Sequence, residues 1–250
     1  MGEADAATIP GAIGRVRERI DAAAARAGLD ASSVTLVAVS KGRPAACVRA
    51  AFDAGVRDFG ENRAGEAQEK ARELERTHAG DALRWHFVGR LQRNKVRRLI
   101  EFVHLVHSVD RLALAEEIGA RASRTLDVLV EVNTSAEAQK GGVAPDDAAR
   151  LVEQIAAVGN VRVTGLMTMA PRVQRAEDAR PCFRLLADLR DDLQKRFPDM
   201  GIRQLSMGMS QDYEIAVEEG ATLVRVGAAI FGPRSAGDDQ AGAFAPASLR

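Results

Sequence analysis

The sequence predicts one α/β domain, a single (β/α)8 barrel of the TIM type with an extra N-terminal helix. Three observations lead there. Short β-branched apolar runs alternate with helical patterns, giving eight strands each preceded by a helix, the arrangement that builds a parallel sheet. The runs are near-continuously apolar, as strands covered on both faces are. The length of 250 residues is that of one such barrel, typically about 250. A doubly wound open sheet satisfies the same alternation, because strand order cannot be read from one sequence.

The elements follow in order. A helix over 13–27 precedes the first strand, 34–40 (VTLVAVS). Pro44 then opens a helix, a favoured place for a residue that lacks an N–H. The second strand is 58–62, followed by an Ala/Glu/Lys-rich helix to about His78. The third strand, 85–89 (WHFVG), leads into a basic helix over 92–101. Strand four is 103–109, followed by a helix over 112–123, and strand five is 126–133. Pro145 opens the next helix, whose Ala148, Leu151, Val152, Ile155 and Ala156 recur at helical spacing on one face. Strand six (161–169), a long helix (176–197), strand seven (204–209), a helix (212–219) and strand eight (222–230) complete the barrel. The domain is expected to span 9–234, with loose termini at 1–8 and 235–250.

Composition excludes several classes of function. Thirty-five basic residues balance 35 acidic ones, so bulk electrostatics gives no case for a nucleic-acid partner. The two cysteines, Cys47 and Cys182, are far apart and have no metal-ligand spacing, which excludes a disulfide scaffold or cysteine-rich zinc module. The N-terminus has neither the basic start nor the apolar core of a secretory signal. No run approaches the roughly 20 apolar residues of a membrane span. A cytoplasmic protein is expected, without a membrane partner.

In a barrel, chemistry gathers where strands end at the C-terminal face. Lys41 closes the first strand. It reads either as a surface lysine or as a Schiff-base nucleophile, whose amine partial burial would favour in its neutral form. Segments 205–210 (LSMGMS) and 225–232 (RVGAAIFG) place hydroxyls, glycines and small residues after strands seven and eight. Barrels often hold phosphate there, although tight glycine turns explain the same residues. Arg225 interrupts an apolar run, so it is either functional or paired, with Glu61 or Glu131 as partners. The basic cluster over 90–98 lacks interleaved aromatics and reads first as a solvated helix face. His104 and His107 differ by an odd number on a strand and are expected to face opposite sides, so no metal pair is assigned. His86 reads as a core or pocket-wall histidine.

VAVSK at 37–41, FGENR at 59–63, WHFVGRLQRNK at 85–95, VNTSAEAQKGG at 132–142, GLMTM at 165–169 and LSMGMSQDYEIAVEEGATLVRVGAAIFGPR at 205–234 together resemble the pyridoxal phosphate homeostasis protein family, the YggS/PROSC type. That family is related to the alanine racemase N-terminal barrel. The resemblance implies pyridoxal 5'-phosphate as cofactor, held as an internal aldimine on Lys41. It implies Arg225 at the pyridine nitrogen, phosphate around Ser206, Ser210, Gly227 and Ala228, and Asn62 and His86 near the ring or along the pocket wall. It places Lys140 near the pocket entrance. It also implies a homeostatic role, with pyridoxal phosphate-dependent apoenzymes as recipients and no catalytic residues assigned. Racemisation needs a second acid/base, and the single tyrosine, Tyr213, falls after the seventh strand. The alternatives are an amino-acid racemase or other fold-type III enzyme, and a cofactor-free lysine aldolase.

Overall fold

The computed structural model describes residues 3–75, 83–135, 137 and 140–233. Eight parallel strands pair in sequence order and close on themselves, which decides for the barrel over the open sheet. The strands are β1 (Thr35–Val39), β2 (Asp58–Glu61), β3 (Arg84–Phe87), β4 (Val103–Val109), β5 (Leu126–Glu131), β6 (Val161–Met167), β7 (Gln204–Ser206) and β8 (Leu223–Val226). Closure is made by β8 against β1, with Thr35 opposite Leu223 and Val37 opposite Arg225.

The helices are α1 (Glu3–Ala27), α2 (Ala45–Asp53), α3 (Ala64–Glu75), α4 (Val96–Leu99), α5 (Leu112–Arg121), α6 (Ala148–Ala156), α7 (Arg180–Arg196), α8 (Tyr213–Glu218) and α9 (Ala228–Phe231). Strand periodicity sorts the apolar residues into two sets. Ala38, Val106, Val128, Leu166 and Val224 join the large core between strands and helices. Their neighbours Val37, Leu105, Leu129, Met167 and Leu223 form a separate cluster on the inward faces of the barrel. The α6 stripe read from spacing buries Ala148, Leu151, Val152 and Ile155.

Several boundaries differ from the sequence reading. Helix α1 begins at Glu3 rather than 13 and carries Pro10 inside it; Ile9 and Ile13 are both 1% exposed, so apolar burial holds the segment as helix despite the proline. The basic helix is short: a 3-10 turn, Arg93–Lys95, precedes the single turn of α4. Strand β8 ends at Val226, and Ala228 already lies in α9. The terminal segment 235–250 and His78 lie outside the described residues.

The histidine expectation is corrected as well. Pairing of β3 with β4 slips between Trp85 and His86, which face Val103 and Leu105. Strand β4 therefore bulges at His104, and strict alternation fails there. As a result both His104 and His107 approach His86, with ring centroids 5.7 and 5.1 Å away. No group of three or more possible metal ligands occurs among the described residues.

Candidate functional site

A cavity of about 720 Å³ opens at the C-terminal ends of the strands. Six residues expected at the site line it: Lys41, Asn62, Ser210, Arg225, Gly227 and Ala228. They come from four strand ends that are distant in sequence and are brought together by closure of the barrel.

The turn that carries Lys41 is held from beneath. Gly42 takes a positive φ of 72°, a conformation that suits glycine. The Gly42 N–H donates to Glu66 at 2.6 Å, and the Ser40 hydroxyl donates to Glu61 at 2.7 Å. Lys70, from α3, donates to the Ser40 carbonyl at 2.7 Å and pairs with Glu61 and Glu66 at 2.6 and 2.7 Å. Burial pushes the Glu61 carboxyl up, and Lys70 pulls it back. Lys41 itself is half-buried at the cavity wall. Arg43, buried, ties this turn to the end of α9 by donating to the carbonyls of Gly232 and Pro233, both at 2.7 Å.

The adjoining wall, after β7 and β8, presents backbone amides. The backbone N–H groups of Gly227 and Ala229 both donate to Ser210 Oγ, at 3.2 and 3.3 Å. Two amides thus converge on one oxygen at the cavity edge, a concave backbone nest of the kind that receives phosphate. Gly208 shapes the preceding turn. It has φ of 86°, and a Cβ there would lie 2.5 Å from that of Ala216. The Met209 N–H donates to Asp212 at 2.6 Å, closing the turn.

Arg225 is 5% exposed and has no salt bridge among the described residues. Glu61 is committed to Lys70. The guanidinium donates instead to two neutral oxygens, Ser206 Oγ at 2.6 Å and the Thr168 carbonyl at 2.9 Å. Burial lowers it to about 10, with Asp212 and Glu131 acting against that fall. Glu131, also on the cavity wall, is raised to about 7, first by burial and then by Asp110. Asn62 lines the cavity with its Oδ1 buried and without a hydrogen-bond partner.

Two expected residues sit elsewhere. Ser206 does not line the cavity; it is fully buried beneath Arg225, because the last residue of β7 points into the barrel. His86 lies deeper still, hydrogen-bonded to His107 and Asp58. Lys140 is half-buried and ion-paired with Glu137 at 3.2 Å. Tyr213 is 1% exposed, its hydroxyl has no hydrogen-bond partner, and burial raises it. Within the basic cluster, Arg90 reaches the cavity wall, while Arg93 pairs with Glu117 at 3.4 Å. Sequence reasoning missed Lys70 as a support. The available signal was its place on the α3 stripe of Ala67, Ala71 and Leu74, where a lysine is out of pattern.

Comparison with known proteins places this geometry. The family model described as alanine racemase, N-terminal domain, matches residues 13–235. The pyridoxal phosphate homeostasis protein of Aquifex aeolicus is 44% identical over 225 residues, covering 89% of this chain and 96% of that protein. The protein of the same name from Pseudomonas aeruginosa is 44% identical, covering 92% and 97%. The structure of PipY from Synechococcus elongatus with PLP bound superposes with a TM-score of 0.73 at 38% identity, covering 87% of this chain and all of that one. Alanine racemase from Corynebacterium glutamicum, at 15% identity and a TM-score of 0.65 over 90% of this chain and 62% of that one, shares the fold. With the matched residues running from α1 past α9, the chain belongs to the pyridoxal phosphate homeostasis protein family, built on the alanine racemase N-terminal domain.

Proposed function

We propose that this chain binds pyridoxal 5'-phosphate in the strand-end cavity, anchored on Lys41, and serves in homeostasis of that cofactor without sustained catalysis of its own. The observation that carries the reading is one cavity lined by a half-buried lysine, a buried arginine and a backbone nest. The PLP-bound relative PipY supports it.

The residues fit the group. Asn62 Oδ1, buried and unpartnered, is an acceptor awaiting a donor. Ser210 with the amides around Gly227 and Ala228 would hold the phosphate. Gly227 keeps that wall thin, since a Cβ there would press to 3.1 Å on the Val39 carbonyl. The cofactor's aldehyde condenses reversibly with amines, and its ring absorbs visible light. Lys41 supplies such an amine, on a turn fixed by Glu61, Glu66 and Lys70. Arg225, a buried cation, disfavours protonation of any ring nitrogen beside it, and that weakens the ring as an electron sink. Tyr213 is packed away from the cavity lining and offers no acid/base there. Ser206 and His86 act at one remove, through Arg225.

Absorption spectra test this with purified protein, with and without added pyridoxal phosphate, beside Lys41→Ala. A visible band in the parent that is absent from the variant is expected. A parent that stays colourless on titration overturns the reading and favours a cofactor-free lysine barrel. Supply to apoenzymes is part of the proposal: loaded protein should reactivate an apoenzyme faster than free cofactor at equal concentration, and equal rates would remove that part. One observation favours a second reading, an amino-acid racemase. Glu131 stands on the cavity wall with its carboxyl pushed up to about 7, first by burial and then by Asp110. Incubation with single enantiomers decides it, since inversion abolished by Glu131→Gln would establish turnover.

A further inference from the structure

A single file of hydrogen bonds crosses the barrel interior from the cavity wall toward the N-terminal ends of the strands. Arg225 Nη1 donates to Ser206 Oγ at 2.6 Å. Ser206 Oγ lies 2.8 Å from His107 Nδ1, His107 Nε2 lies 2.9 Å from His86 Nδ1, and His86 Nε2 lies 2.9 Å from Asp58 Oδ1. Five strands contribute one residue each, and all five residues are buried.

The proton order along this file follows from counting donors. Asp58 also receives Arg84 Nε and Nη2 at 2.7 and 2.6 Å, and its arginine and histidine partners hold it down at about 2 against the effect of burial. It is a carboxylate and only accepts, so His86 Nε2 carries a proton. In neutral His86, Nδ1 is then an acceptor. His107 must therefore donate from Nε2 and accept at Nδ1, and the Ser206 hydroxyl must donate to it. That leaves the Ser206 oxygen lone pairs for Arg225. Every group is satisfied and every bond points the same way.

One added proton breaks the order. A charged His86 would donate to His107, which would then donate to Ser206. Ser206 Oγ would face two donors, and its own proton would have no acceptor among the described contacts. Leaving such a buried donor unpaired is costly. The charged and titratable groups facing the pair are Asp58 on β2, Arg84 on β3, His104 on β4 and Arg225 on β8. Burial, first, and the Arg225 cation hold His107 well below the usual imidazole range.

We infer that His107 and His86 are positioning residues for cofactor binding: as two neutral Nε2–H imidazoles they set the direction of the Ser206 hydroxyl and so hold Arg225 at the cavity wall. This rests on the pyridoxal phosphate reading given above, but the proton order can be tested without the cofactor.

The first measurement is long-range ¹H–¹⁵N NMR of the histidine side chains in ligand-free protein at neutral pH. Both rings are expected as neutral Nε2–H tautomers. An imidazolium, or an Nδ1–H tautomer, at either residue overturns the inference. The second is pyridoxal phosphate titration, followed by visible absorbance, of the parent, His107→Leu and His107→Gln. Glutamine can accept from Ser206 and donate to His86, whereas leucine can do neither. His107→Leu should bind about ten-fold more weakly, the order expected for one broken buried hydrogen-bond link, with a shifted band. His107→Gln should keep parental affinity and band position. Equal binding by parent and leucine variant overturns the inference, as does equal loss in both variants. A parent that binds nothing refutes the functional reading instead, and the NMR result still decides the proton order.

Discussion

Replacing Glu131 by glutamine should stabilise the ligand-free protein at pH 8 and change it little at pH 5. Glu131 ends β5 on the cavity wall at 8% exposure. Burial and Asp110 raise its carboxyl from 4.5 to about 7, against the pull of Arg225 and Arg90. Because the folded-state value lies above the unfolded one, the folded protein binds more protons between those limits. This favourable contribution is present in mild acid and is lost as pH rises through about 7. A displacement of that size, at about 1.4 kcal/mol per pH unit, amounts to roughly 2 to 3 kcal/mol between pH 5 and pH 8. Glutamine keeps the shape and never ionises, so the variant escapes the loss. Against a total stability of about 5–15 kcal/mol the effect is easily measured. Urea denaturation of both proteins at the two pH values is the assay, and subtracting one from the other cancels groups common to both, His107 included. A stability gap that is equal at both pH values, or wider at pH 5, would refute the reasoning.

Three further substitutions probe the supports of the site. Lys70→Met strands the Glu61 carboxylate, 1% exposed, and should cost about 3–5 kcal/mol at alkaline pH; denaturation at pH 8 checks it, and a neutral outcome would show that Glu61 is satisfied without Lys70. Gly89→Ala would set a Cβ 2.4 Å from the Asn62 carbonyl oxygen and 2.7 Å from its Cα, so the Asn62 loop must move; cofactor affinity should fall by more than about ten-fold in a titration where the fold, read by circular dichroism, persists. Tyr213→Phe removes a buried hydroxyl that has no hydrogen-bond partner and should be neutral or stabilising by up to about 1 kcal/mol; a clear loss of thermal stability would mean that the hydroxyl is bonded.

The parts legible in the sequence were those that act through local pattern. Eight apolar runs between helical stripes call for a parallel sheet, which strand pairing closes into a barrel, and a lysine closing the first run falls at the mouth, because strand ends gather there. The remainder depends on register and on long-range meetings. A one-residue slip at His104 turns a face assignment over, and slips carry no composition signal. The inward aim of Ser206 follows from where β7 starts, and the sequence reading extended that strand to 209 rather than ending it at Ser206. His107 meets Ser206 across 99 positions of chain, a distance at which periodicity is silent. Arg225 was recognisable as out of place in an apolar run, but the neutrality of its partners was not. Of the residues the resemblance implied, Lys41, Asn62, Ser210, Arg225, Gly227 and Ala228 line the cavity, whereas Ser206 and His86 belong to the interior file.

The seam between β1 and β8 has a consequence for how such a protein is made. Val37 pairs with Arg225 across that seam, so the lysine turn that follows β1 meets the cavity wall of residues 225–228 only when the last strand docks. During synthesis the ribosome releases the amine of Lys41 long before residues 225–228 exist to complete the cavity. An unfinished chain therefore carries Lys41 without the Arg225, Gly227 and Ala228 that line the cavity with it. The cavity wall that faces Lys41 from the β8 side is therefore complete only after the ring is sealed by β8 against β1.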